Sequence, residues 1–434
     1  MNKHAWAIAL AIFLVASFTP AGQSENTNAD SWSGVIINGA CTVDEAFAEA
    51  PKCATYAPGA ALALYDDTIR QVYALDTQEA LAPYFEESVT VRGRLDGNTI
   101  HAVSIKRFAD VGLRTGEKAP EFSAPDQFGK TQTLESLRGP KGVVLLFYRS
   151  ADWCPYCKGQ LIQLQAAKAR FEKQGLRLAG ISYDSVQILK YFTDRRKITF
   201  PLLSDPDSKI IQMYGVLNSE AMGPNAGMAR PGYFFIDPQG VIHEKFFEAK
   251  YRERLTGNSV LAKLFPELGE EVTEAVKDPH LEVRLGQSDR VAVPGNLVTL
   301  TADVRMPADL HVYAPGAGQK GYMPVHLVFD SLPDFVARPP NYPAPTILYL
   351  PAIKESVQVY EGAFRLQQVL KINSTAEFSG ALGADGKQVI VKGSLQYQAC
   401  NSTICFQPTS IPLQWELQII PLDRQRAPED IRHK

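Results

Sequence analysis

The 434-residue chain holds six cysteines, and they stand as three local pairs: Cys41 with Cys53, Cys154 with Cys157, and Cys400 with Cys405. Cysteines so close in sequence can form a static bridge, half of a metal site, or a redox couple. The middle pair carries the most information. Cys154-Pro155-Tyr156-Cys157 follows an unbroken apolar run at 143–148 and opens a helical pattern with Leu161, Leu164, Ala167 and Phe171 on one stripe. A thiolate at a helix N-terminus meets the positive end of the macrodipole and free backbone N–H groups, both of which lower its pKa. A second cysteine one turn later can attack a mixed disulfide and release the partner. Pro155 suits the first turn, where its missing N–H is unpaired in any case. Trp153 is placed to serve as a docking surface beside an exposed thiol. Zinc would require two further Cys or His ligands at motif spacing, and no neighbouring pair supplies them. Neither a metal nor another cofactor is expected.

The outer pairs are less decisive. Cys400 and Cys405 lie between two predicted strands, where a hairpin staple worth about 2 kcal/mol would by itself account for them. A redox role is the alternative. Cys41 and Cys53 flank a short helical pattern at 43–50, and a structural disulfide there, worth about 3 kcal/mol, is the preferred reading. The seven histidines are scattered through the chain and receive no role.

The elements needed to hold these cysteines divide the chain. Residues 1–24 have a short basic start and an uncharged apolar stretch near small residues, as a cleavable signal peptide does. Fourteen apolar residues span about 21 Å as a helix, less than a bilayer core. Stable membrane insertion is therefore not expected after cleavage. Polar residues 25–34 read as a mobile leader. Residues 34–108 read as a small all-β domain, with strands at 61–65, 71–75, 89–95 and 99–106 and a hairpin turn at Asp96-Gly97-Asn98. Residues 113–250 alternate strand and helix, as an α/β domain does. Residues 251–279 read as a helical linker. Residues 280–421 read as a β-sandwich of about seven strands separated by Pro and Gly turns, and 422–434 as a charged, frayed tail. With 21% charged residues and a net charge of −3 there is no polybasic footprint, which excludes nucleic acid as a partner class.

Two segments resemble known families. Gly116-Glu117-Lys118-Ala119-Pro120, the run from Phe147 to Cys157, and Ala229-Arg230-Pro231-Gly232 resemble the thioredoxin superfamily in its exported redoxin or peroxiredoxin-like (AhpC/TSA-type) branch. The resemblance implies a thioredoxin fold, with Pro231 as a cis proline facing the dithiol. Thioredoxins often keep a buried acid where Tyr148 stands. Peroxiredoxins carry Pro-x-x-x-Thr/Ser-x-x-Cys, with the final cysteine attacking the peroxide, so that the resemblance implies Cys157 as the peroxide-reactive residue of a peroxidase. Aligned on Cys157, that motif has Ser150 in place of Pro and Cys154 in place of Thr/Ser. Arg230 stands as a candidate for the family's peroxide-site arginine.

The second segment, Tyr397-Gln398-Ala399-Cys400 to Cys405-Phe406-Gln407-Pro408, resembles the N-terminal domain of the thiol:disulfide interchange protein DsbD. That likeness implies an immunoglobulin-like β-sandwich with Cys400 and Cys405 as its redox pair. The 34–108 domain is OB-like through 89–105.

The expected protein is a periplasmic or secreted thiol–disulfide oxidoreductase. Cys154 attacks, Cys157 resolves, and Cys400–Cys405 exchanges electrons with that pair, in the same molecule or in a partner. Its expected partners are exported thiol/disulfide proteins or a membrane electron donor. Two alternatives are a thiol-dependent peroxidase and a non-enzymatic binding module held by structural disulfides.

Overall fold

The computed structural model describes residues 30–433, apart from short segments at 48–49, 55–58, 68, 86–87, 109–110, 249, 267–271, 316, 318–320, 331–333, 339 and 352–353. The proposed signal peptide at 1–24 lies outside the described residues.

Five strands close a barrel: β1 (Asp30–Asn38), β2 (Leu62–Asp66), β3 (Gln71–Leu75), β4 (Ser88–Asp96) and β5 (Thr99–Arg107), in the order β1-β2-β3-β5-β4 with β4 paired back to β1. Four of these were expected. β1 was not, because Asp30 to Ser33 are mostly polar and read as leader. Alternation resolves this: Trp32 and Ile36 point into the barrel core, while Val35 and Ile37 face a second small cluster outside it. Gly34 is required where β1 crosses β2, since a Cβ there would sit 2.2 Å from the Tyr65 carbonyl oxygen. The Asp96–Thr99 hairpin turns as expected, with Gly97 at φ +60°. The Cys41–Cys53 disulfide sits in the outer cluster and clamps the loop that carries Phe47.

The central domain is built on β6 (Val143–Phe147), fully buried as the apolar run required. α1 (Pro155–Lys173) follows it, then β7 (Arg177–Ser182), α2 (Val186–Arg196), β8 (Leu202–Ser204), β9 (Gly232–Ile236) and β10 (Ile242–Phe247). The sheet order is β8-β7-β6-β9-β10, with β6, β7 and β8 parallel and β9 antiparallel to both neighbours. The Leu161, Leu164, Ala167 and Phe171 stripe packs on this sheet. A second face of α1 is also covered, which the pattern did not foretell: a Cβ on Gly159 would meet Val293 at 3.0 Å and Leu422 at 3.8 Å.

The connecting segment is more structured than a helical linker. α3 (Gly257–Leu264) packs on α1 so tightly that a Cβ on Gly257 would lie 3.0 Å from Ala167 Cβ. β11 (Val272–Lys277) is the edge strand of the next sheet. That sheet continues through β12 (Glu282–Gln287), β13 (Asn296–Arg305) and, beyond it, the strand Ala363–Ile372. A second sheet containing Lys387–Tyr397 and Thr409–Ile419 shares its core, with Leu285, Val298, Leu395 and Trp415 meeting between them.

Arg252 and Glu253 tie the three parts together. Arg252 forms a two-pronged ion pair with Asp67 of the barrel, at 2.8 and 3.3 Å. Glu253 accepts from Arg338 at 2.8 Å and lies 3.4 Å from Lys371, both in the C-terminal sheets. Asp67 and Arg252 are both nearly inaccessible, so removing one partner strands a buried charge. Asp67→Ala should therefore destabilise the full-length protein by about 3–5 kcal/mol in denaturant titration, and adding Arg252→Met should restore most of the loss.

Candidate active site

The last residue of β6 is Phe147, and the chain then turns through 148–153 before α1 begins. Cys154 caps that helix with extended backbone, and its Sγ accepts the Cys157 backbone N–H at 3.3 Å. Cys154 and Cys157 are disulfide-bonded with their Cα atoms 5.3 Å apart. Its sulfur thus lies at the N-terminus of α1, against a backbone N–H of the first helical turn, where a thiolate would be stabilised.

Accessibility differs from expectation. Cys154 is 1% exposed and Cys157 is fully buried. Cys154 lies on the wall of a cavity of about 310 Å³ that gathers Arg149 and Tyr156 of the central domain, Phe47 of the barrel, Tyr251 and Arg252 of the connection, and Ser374 of the C-terminal sheets. Cys157 does not line this cavity. Trp153 is half-buried: its indole N–H donates to Tyr183 Oη at 2.8 Å and Arg149 lies 4.8 Å over its ring. It is an interior wall of the cavity, not an exposed docking surface.

Two further expectations are corrected. Among the described residues there is no cis peptide bond, so Pro231 is trans. The chain there runs extended from the Leu217–Ala229 bridge into the Gly232–Phe147 pairing of β9 with β6, and a trans bond keeps that path straight. Arg230 is engaged elsewhere, donating to Glu220 at 3.0 Å and lying over Phe108. The arginine that shares the cavity with Cys154 is Arg149. Its Nε donates to Met228 Sδ at 3.1 Å, and its guanidinium is sandwiched against Trp153 and Tyr251. No carboxylate among the described residues pairs with it. Tyr148 is buried, and burial followed by the nearby Asp184 charge pushes its phenol well above the ordinary value. It stays neutral and cannot take the place of the missing acid.

The largest departure concerns residues 422–433, which are docked on the central domain. Asp152, buried two residues before Cys154, accepts from Arg426 at 2.5 and 3.2 Å, from Ala427 N–H at 2.9 Å and from His433 N–H at 3.2 Å. Asp184 accepts from Ser150 Oγ, the Ala151 N–H and His433 Nε2 at 2.6–2.7 Å. The His433 ring also stacks on Tyr183 at 4.3 Å. Lys158, beside Cys157, is buried with its Nζ on the carbonyls of Asp152 and Gln425. Burial, only partly offset by Asp423, lowers its pKa to about 8. Both carboxylates brace the loop that delivers Cys154. Asp152 and Arg149 lie inside the motif, so position alone could have marked them. Nothing local marks Arg426 or His433.

The Cys400–Cys405 disulfide is of another kind. Cys400 is buried but Cys405 is exposed, and Tyr313 Oη lies 3.7 Å from each sulfur, stacked on Tyr322 at 4.4 Å. Cys400 pairs across with His311, which pairs with Glu361, next to the start of the Ala363–Ile372 strand. Ser374, on the Cys154 cavity, follows the opposite end of that strand. Ten residues of strand span about 33 Å. The two disulfides therefore do not touch. Among the described residues no cluster of three or more His, Cys, Asp or Glu side chains could hold a metal, and no helix is long and apolar enough to cross a membrane.

Residues 115–245 match the AhpC/TSA family, and residues 283–412 match the N-terminal domain of the thiol:disulfide interchange protein DsbD. The chain is 36% identical over 140 residues to alkyl hydroperoxide reductase E of Mycobacterium tuberculosis, covering 32% of this chain and 86% of that protein. It is 32% identical over 139 residues to peroxiredoxin Bcp of Escherichia coli, covering 32% and 88%. A solved structure, peroxidoxin BcpB from Mycobacterium tuberculosis, is 27% identical, with a TM-score of 0.29 over 32% of this chain and 90% of that one.

Burial would raise the Asp152 pKa, but Arg426 and the two N–H donors outweigh it and hold the carboxyl below its ordinary value. The stabilisation from this contact is then complete above the unfolded value of about 3.9 and is lost as pH falls through the lower folded one. Asp152→Asn should be less stable than the natural chain by about 1–3 kcal/mol at neutral pH. The gap should close below about pH 4 in thermal melts across pH.

Proposed function

The chain belongs to the AhpC/TSA family through residues 115–245, and from that premise we propose that it is an exported thiol-dependent peroxidase in which Cys154 is the nucleophile. One observation carries the choice of cysteine: Cys154, not Cys157, lines the cavity that it shares with Arg149, which has no carboxylate partner. In the reduced enzyme the Cys154 thiolate attacks the distal oxygen of a hydroperoxide. The O–O bond breaks, the alkoxide takes a proton and leaves as alcohol or water, and Cys154 becomes a sulfenic acid. The Cys157 thiol then attacks that sulfur and water is lost, giving the disulfide. An external dithiol supplies the two electrons that restore the pair. The family motif aligned with Cys154 at its Thr/Ser position puts Cys157 at its attacking cysteine; we place the attack on Cys154 instead because Cys157 does not line the cavity, and give the orientation of the peroxide to Arg149 and the helix N–H groups.

The alternative is direct thiol–disulfide exchange with exported proteins. The Cys-Pro-Tyr-Cys spacing and the DsbD-like segment favour it, and the burial of Cys154 opposes it, because exchange needs a protein disulfide to reach a sulfur that is 1% exposed. The exposed Cys405 is better placed for a protein partner. We therefore assign Cys400–Cys405 the receipt of electrons from an exported thiol protein or a membrane donor. Its separation from Cys154 makes any relay one between molecules, or one through a carrier. The barrel's strand order is that of an OB-type fold, and the two-sheet C-terminal region fits an immunoglobulin-like sandwich; both assignments belong to this proposal, as does a periplasmic or secreted location.

Stopped-flow mixing of the reduced protein with hydrogen peroxide tests the assignment. Cys154→Ser should slow peroxide consumption by about a thousandfold or more. Cys157→Ser should keep the first turnover and accumulate sulfenic acid, trappable by dimedone. Full activity in Cys154→Ser would overturn the proposal. A Cys400→Ser/Cys405→Ser variant should keep the first turnover yet lose multiple turnover with a thioredoxin-like protein as reductant.

A further inference from the structure

The cavity beside Cys154 is built for more than a peroxide group. Arg149, Arg252, Arg70 and Arg424 all reach its wall, and no carboxylate lines it. Only Arg252 is neutralised, by Asp67. Arg149 is 8% exposed and has a sulfur and two aromatic faces for company. Behind it, Arg254 is buried with two of its nitrogens lacking any hydrogen-bond partner. Burial, reinforced by the Arg149 charge, lowers Arg254 to about 9, so it is still a cation at neutral pH. Arg70 and Arg424 are exposed, but Arg149 and Arg254 are buried cations without a carboxylate partner, and such a pair is costly unless an anion joins it.

A second set of groups points the same way. Ser374 and Ser379 also line the cavity, and the hydroxyl oxygen of each is buried without a partner. Buried polar atoms are normally paired, so two orphaned hydroxyls in the wall that also holds Arg149 suit an acceptor with more than one oxygen. Trp153, Tyr156 and Tyr251 supply apolar walls. At about 310 Å³ the space suits a small organic molecule.

We propose that this cavity binds a small organic carboxylate, with Arg149, Ser374 and Ser379 holding the carboxylate while the rest of the molecule lies against the aromatic wall toward Cys154. The inference rests on the peroxidase reading and adds the substrate class to it. The carboxylate belongs either to the hydroperoxide that is reduced or to a small thiol that reduces the disulfide.

Calorimetry on the oxidised full-length protein with phenylacetate, and with phenylacetamide as neutral control, reads binding without turnover. Saturable binding of the acid alone is expected, weakened about tenfold by Ser374→Ala/Ser379→Ala, the loss of hydrogen bonds to a charged group. Kinetics then separate the two sources. A lower KM for a carboxylated alkyl hydroperoxide than for its methyl ester assigns the oxidant. Faster re-reduction by mercaptoacetate than by 2-mercaptoethanol assigns the reductant. In either case the serine double variant should lose the discrimination and keep its rate with hydrogen peroxide. Equal behaviour of acid and neutral compounds in all three assays, in a protein that still consumes hydrogen peroxide, overturns the carboxylate site alone. Carboxylate binding without peroxide consumption overturns the peroxidase reading and leaves the site standing.

Discussion

A carboxylate with no exposed surface, Asp152, stands two residues before the reactive cysteine, and an ionised group in that position has to be met by donors. The central domain does not provide enough of them. They come from residues 426, 427 and 433, some 274 positions further along the chain. Much of the architecture follows from that demand. The chain must return from the C-terminal sheets across α1, which accounts for Leu422 and Val293 packing on a second face of the helix. Asp423 then settles against Arg195 and Arg196 on the end of α2. The loop carrying Cys154 is held from the far side, and its cysteine is left facing inward, toward the cavity that the barrel and the C-terminal sheets close.

The parts of this arrangement that were legible in sequence are those set by local pattern. The apolar run of β6, the stripe on α1, the α2 boundaries and the Ala363–Ile372 strand each follow from periodicity and caps within a few residues. The junction of strand, dithiol and helix was legible for the same reason. What sequence concealed depends on partners far away. Asp30 to Ser33 look like solvated leader until β4 pairs with them. The charges at 423–433 look solvated because charge runs usually are, yet here they neutralise Asp152 and the α2 arginines. Sequence pointed to Arg230 as the cation beside Cys154, but Arg230 is held by Glu220 and does not reach the cavity wall, where Arg149 stands. The exposed-thiol expectation failed because covering residues such as Phe47 and Ser374 come from other domains.

The two disulfides outside the barrel thus differ in their surroundings. Cys154–Cys157 is buried beside a cavity with arginines on its wall. Cys400–Cys405 has one sulfur in solvent, with Tyr313 against both. Cys41–Cys53 contributes differently. It fixes the loop whose Phe47 ring lies under Arg70 and Arg252, so a static bridge shapes the wall of the chemical cavity.

The docking of residues 426–433 also sets an order of assembly. The barrel and the central sheet can form as soon as their own residues have left the ribosome, but the loop before Cys154 is not braced until residues 426–433 have folded back on it. The long separation adds only slowly to the entropy of closing that contact, so distance is no great obstacle to forming it. Its effect is on timing: a chain still short of residues 426–433 carries its dithiol on an unfinished loop, and the cysteine acquires its final setting only once they have emerged and docked.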